Sequence, residues 1–167
     1  MRKKHTRISA EEFFREHLHY EIWMLRETYA YMLVGSFGDV MNNALIESYC
    51  THARNLIEFF RYKDSCDYHP AEFVTADFKK NTQFIGDILF TTINEQISHM
   101  SHYRTADPFR KIDGPFRTRV FAALEVEIAR FGKHLTEHYR SSWKFDHAPT
   151  IQISMAAPSA TNHLTSI

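Results

Sequence analysis

Eleven of the 167 residues are histidine, the side chain whose proton exchanges near neutral pH. Glu95, His99 and His102 are spaced four and three apart, so a helix would carry all three on one face with a carboxylate one turn from an imidazole. That pattern suits acid–base chemistry, or half of a site completed by a second subunit. It also describes an ordinary solvated face. His134 and His138 are four apart, with Glu127 two turns earlier, which is the spacing of a two-histidine metal chelate. Glu16-x-x-His19 is the single match to the Glu-x-x-His motif that di-metal bundles carry twice. With ligands this few, the expectation is no metal and no cofactor, His134 and His138 being the weak candidates. His52 flanks an apolar stripe and reads as a boundary histidine. Arg54 lies within helical reach of Glu47 and Glu58 and reads as an ion-pair partner.

Other chemistries find little support. No G-x-S-x-G elbow and no cysteine-nucleophile box is present, and the glycines are too scattered for a phosphate-cradling loop. Arg2, Lys3, Lys4 and Arg7 could touch phosphate but read more simply as a solvated start. Lys and Arg total 20 and Asp and Glu total 20, so the net charge is zero. A surface that grips nucleic acid everywhere is thereby excluded, while a local patch is not. Cys50 and Cys66 are too few for a disulfide scaffold and read as free thiols. The start of the chain lacks the apolar core of a signal peptide, and no run of about 18 apolar residues exists. The expectation is a cytoplasmic protein with no membrane segment.

These residues need elements to hold them. Gly and Pro number five each and are scarce in the periodic stretches, which favours long helices. Ser9 with Glu12 forms a capping box opening a helix over about 10–33, with Phe14, Leu18, Ile22, Leu25, Tyr29 and Met32 as its apolar stripe. Phe13, Tyr20, Met24 and Tyr31 recur on the opposite face. A helix apolar on two faces is covered on both, by its own chain or by a second copy. A second helix runs from Asp39 to about Tyr62, with Ile46, Ala53, Ile57 and Phe60 inside. Residues 63–82 lose the period and form a long loop that is functional or hides a short helix. A third helix is expected over about 83–103, with Ile85, Leu89, Ile93, Ile97 and Met100 inward. Asp113 caps a fourth, with Pro115 in its first turn and a stripe of Phe116, Val120, Leu124, Ile128, Phe131, Leu135 and Tyr139. The fold class is all-α: a single-domain four-helix bundle over 1–145, followed by a mobile C-terminal tail over 146–167 that is rich in Ser, Thr, Ala and Pro.

Two stretches carry a resemblance. NALIESYCTHARNLIEFF in the second helix and INEQISHMSHYR in the third resemble segments of uncharacterised bacterial helical proteins. The second stretch is also similar to the signature helix of the HEPN superfamily. Those are small all-α bundles, many of them dimeric, metal-independent endoribonucleases of toxin and phage-defence systems. The family motif is Arg, a polar residue, three more residues, then His. Aligned here, the resemblance implies His99 as the catalytic histidine, Glu95 at the polar position and Asn94 where the arginine belongs. Asn94 cannot supply the cation that stabilises phosphate charge, and Arg104 is the conceivable substitute. The resemblance implies a HEPN-like homodimer that binds RNA or a protein partner with a degenerate motif. Two alternatives stand beside it: an active endoribonuclease using His99, Arg104 and His102, and a metal-binding bundle. Whether the chain is an enzyme is left open.

Overall fold

In the computed structural model, which describes residues 8–35, 37–61, 68–95 and 112–147, the chain starts as one helical rod in three pieces. These are α1 (Ala10–Glu12), a π-helical segment (Phe13–Leu18) and α2 (His19–Val34). The Ser9 hydroxyl oxygen accepts the Glu12 backbone N–H at 3.1 Å, satisfying a donor that the first turn leaves open. Phe14, Leu18 and Ile22 are spaced four apart, a step that drifts about 40° around an α-helix. The wider π turn absorbs that drift, and all three are buried with Leu25 and Tyr29.

The chain reverses at Gly35 into α3 (Asp39–Arg61), where Asn42 anchors the turn by donating to the Phe37 carbonyl at 2.6 Å. Glu21 faces His52 and Tyr29 faces Tyr49, so α2 and α3 run antiparallel. They form the most extensive pair among the described helices. A short helix, α4 (Asp87–Ile93), packs on α3. The last long helix, α5 (Gly114–Lys133), opens as expected: the Asp113 carboxylate accepts the Phe116 N–H at 2.7 Å and Pro115 sits in the first turn. Its buried line of Phe116, Val120, Leu124, Ile128 and Phe131 meets Ala53, Leu56, Ile57 and Phe60 of α3 in one core. Polar ties fix the register. The Tyr49 hydroxyl donates to the Arg117 carbonyl at 2.8 Å, and Tyr29 stacks on Phe121 at 4.0 Å. Arg26 clamps Glu125 through two bonds of 2.8 Å, joining α2 to α5. The architecture is the all-α four-helix bundle expected. Among the described residues the one extended pairing is an isolated bridge, Val74 to Leu135. No described helix is long and apolar enough to cross a membrane.

Two expectations about elements need correction. The fourth helix does not continue through Leu135 and Tyr139. It stops at Lys133, because Thr75 N–H donates to the His134 carbonyl at 2.8 Å and Thr136 N–H to the Phe73 carbonyl at 3.0 Å. This pairing with the loop draws the chain out of the helix. A turn, α6 (Glu137–Arg140), then returns Trp143 to the core. Leu135 stays buried and Tyr139 packs on the core, but from a different backbone. The third helix starts at Asp87 and not near Gln83: Asn81 accepts the Gln83 N–H in a turn and Gly86 is extended. Ile85 is buried from outside the helix. The 63–82 loop does contain a short helical piece, a single 3-10 turn at Pro70–Glu72. From that loop Phe73 and Phe78 seal the core beside Phe131. Ile97, Met100 and the tail from 148 onward lie outside the described residues.

Candidate functional site

Of the motif set read from the sequence, His99, His102 and Arg104 lie outside the described residues; Asn94 and Glu95 lie within them. Asn94 caps the C-terminus of α4 in helical geometry (φ −63°, ψ −46°). Its side-chain oxygen is buried without a hydrogen-bond partner. The position read as the motif's cation site therefore holds a neutral amide whose oxygen lacks a donor. Glu95 is half-buried at the next position.

The metal pairing is dismantled by the end of α5. His134 is the C-cap of that helix and His138 lies in α6, so the two do not share a helical face as an i, i+4 pair. The His134 ring nitrogen Nδ1 is taken up by the Arg130 carbonyl at 2.8 Å. Glu127 is buried and held by Arg130, whose guanidinium also lies 4.1 Å over the Phe78 ring. Glu16 is exposed, while His19 is enclosed by Phe14, Trp143 and Phe145. No cluster of three or more metal-ligating side chains occurs among the described residues.

Two features assemble in place of that pair. The first is a polar cluster on the α2–α3 seam. His52 is buried and its Nδ1 meets Glu21 Oε2 at 2.8 Å; Asn55 donates to the same oxygen at 3.1 Å. His52 is thus the boundary histidine expected, and its partner is a carboxylate 31 residues away that sequence spacing does not connect to it. Arg54 pairs with Glu58 at 2.9 Å, as its spacing indicated. Beside the cluster opens a cavity of about 350 Å³ between the π segment and α3.

The second is the outer face of α2. Buried residues line the opposite side of this helix, and Arg26 and Glu21 occupy its flanks. The solvent side carries Tyr20, Trp23, Met24, Glu27, Ala30, Tyr31 and Val34. Tyr20, Trp23 and Tyr31 are each about half exposed, at 49%, 50% and 53%. The same surface passes into the turn and the start of α3 through Leu33, Phe37, Val40 and Met41, all exposed. Of the second stripe read from the sequence, Phe13 is covered by Tyr68 and Phe73 of the loop, whereas Tyr20 and Tyr31 are not covered. Trp23, Val34, Phe37, Val40 and Met41 were not part of that reading. The signal that could have found them is the shortage of charge on this side of the helix.

The remaining strongly perturbed groups are structural. Burial pushes the Cys50 thiol up to about 12, and burial raises the Tyr49 phenol above its ordinary range, so neither is a nucleophile or acid at neutral pH. No family model matches this chain, and no curated protein and no solved structure is detectably similar to it.

Proposed function

We propose that this protein is a binding module that works as a homodimer, pairing through the outer face of α2. The observation that supports this is the near-absence of charge on a solvent-facing helix side: one Glu among three half-exposed aromatic rings and three aliphatic residues. Monomeric domains rarely leave a contiguous apolar face of this kind open to water. The order of residues suits a twofold axis. Tyr20 and Val34, and Trp23 and Tyr31, are placed symmetrically about Glu27. Zero net charge leaves two copies without long-range repulsion. A specific dimer buries about 1,200–2,000 Å² in total, and aromatic residues near its centre dominate its energy. The expected result is a light-scattering mass near twice 19.7 kDa at tens of micromolar. Trp23→Glu should shift it to the monomer mass without loss of helicity. A wild-type monomer mass would overturn the dimer.

The resemblance of the third helix to the HEPN signature extends the proposal to what the dimer meets: RNA, or a protein partner in a defence or toxin context. The neutral Asn94 favours binding over cleavage, because developing phosphate charge left without a cation forfeits several kcal/mol, about a hundredfold or more in rate. RNA binding with slow or absent cleavage is the expected outcome, any cleavage being lost in His99→Ala. A wild-type protein that neither binds nor cleaves RNA would remove RNA from the reading and leave the protein partner.

A further inference from the structure

We infer that the cavity between the π segment and α3 is a binding site for a small organic cation with an apolar body, an aryl- or alkylammonium. The inference is independent of the dimer.

Its walls are apolar: Phe13 and Leu18 from the π segment, and Leu56 and Phe59 from α3. Its polar groups are Glu21, Asn55 and, at the exposed rim, His17. The volume, about 350 Å³, falls in the range of small-ligand sites, about 300–1,000 Å³. The charge balance inside selects the ligand. Glu21 brings a carboxylate, and none of the described residues that line the cavity is a Lys or Arg. Both protein donors, His52 Nδ1 and Asn55 Nδ2, converge on Oε2. Oε1 has no hydrogen-bond partner among the described residues. A carboxylate fixed by two donors on one oxygen, beside an apolar pocket, is a preorganised acceptor for an N–H donor bearing positive charge. An anionic ligand would meet Glu21 uncompensated, and a neutral apolar one would leave Oε1 desolvated and unpaired.

The local backbone is built for this opening. π turns occur mostly as single widened turns and often at functional sites. Here the widened segment runs from Phe13 to Leu18 and contributes both end residues and His17 to the lining. His52 is a positioning residue: buried on α3, with Tyr20 edge-on at 5.5 Å, it holds the carboxylate in place.

The test is NMR titration of the full chain with phenethylamine as probe and 3-phenylpropanol as the neutral control. Saturable binding of phenethylamine is expected, with intermolecular contacts to the Phe13 and Phe59 ring protons and at least tenfold weaker binding of the alcohol. Glu21→Gln should weaken the amine at least tenfold. His17→Trp, a rim substitution that leaves Glu21 in place, should weaken it similarly by filling the mouth, so the test survives if Glu21→Gln fails to fold. No binding to wild type, equal binding of amine and alcohol, or undiminished binding to a folded Glu21→Gln or His17→Trp protein would overturn the inference.

Discussion

Among the described histidines, the one whose burial bears most clearly on the response to pH is His19. Its ring is boxed in by Phe14, Trp143 and Phe145, and its Nε2 is buried without a partner. Burial, reinforced by the Lys144 charge, lowers it from the ordinary 6.5 to about 4. A base depressed in the folded state takes up its proton more readily when unfolded. Its contribution to stability is therefore fully present above about 6.5 and is lost as pH falls toward 4. The thermal midpoint should drop between pH 7 and pH 5. His19→Phe, which keeps an aromatic ring in an aromatic box and removes the orphaned nitrogen, should flatten that slope. An identical slope in the variant would show that other groups carry the acid sensitivity. Nothing in the sequence marks His19 as an enclosed histidine. Its box is made by Phe14 from the same rod and by Trp143 and Phe145, which only the turn after α5 brings back. His52 was legible as a boundary residue because its position on a stripe is local. Its Glu21 partner was not, because that pairing depends on how two helices are set side by side.

At the scale of elements, local chemistry was legible and long-range competition was not. Ser9 and Asp113 cap their helices through side-chain oxygens that can be read from three or four residues of sequence. The buried lines Phe14–Tyr29 and Phe116–Phe131 follow directly from helical period. The same period misled beyond Lys133. Leu135 and Tyr139 continue the spacing, yet Phe73 and Thr75 from the loop capture the backbone at Thr136 and His134. The return of Trp143 after that capture depends on Gly132. A Cβ placed there would lie 2.5 Å from the Trp143 indole nitrogen, so the glycine is what lets the returning Trp143 lie on α5. Gly132→Ala must displace a largely buried indole, and overpacking of this kind costs about 1–3 kcal/mol. Chemical denaturation should show that loss together with a change in Trp143 fluorescence. Stability equal to wild type with an unchanged spectrum would mean that the indole does not rest on Gly132. Leu124, in the middle of the same helix and fully buried, offers the comparison of a pure cavity: Leu124→Ala should cost about 2–5 kcal/mol without moving Trp143.

For the whole molecule, the question is which surface it leaves unsatisfied. The bundle buries one side of each long described helix, and Tyr68 and Phe73 of the loop cover the start of the rod. The outer side of α2 and the turn after it have no such cover among the described residues. The sequence revealed this face in outline, through the apolar residues opposite the main stripe. Which half the chain covers itself depends on where the loop packs, which no local pattern encodes. If two copies pair as proposed, antiparallel about an axis at Glu27, then Trp23 meets Tyr31 of the partner subunit and Tyr20 meets Val34 of the partner subunit. The two Glu27 carboxylates then approach each other at the centre. Like charges brought together across an interface oppose association and fix its register more than they add affinity. Removing them while keeping the shape should strengthen the dimer. Glu27→Gln is therefore expected to lower the dimer dissociation constant about tenfold, equivalent to about 1.4 kcal/mol, in sedimentation equilibrium at low salt. The gap between variant and wild type should narrow as salt screens the repulsion. A dissociation constant that rises in Glu27→Gln would mean that Glu27 meets a cation across the interface, and the antiparallel register about Glu27 would be wrong even if the protein is dimeric.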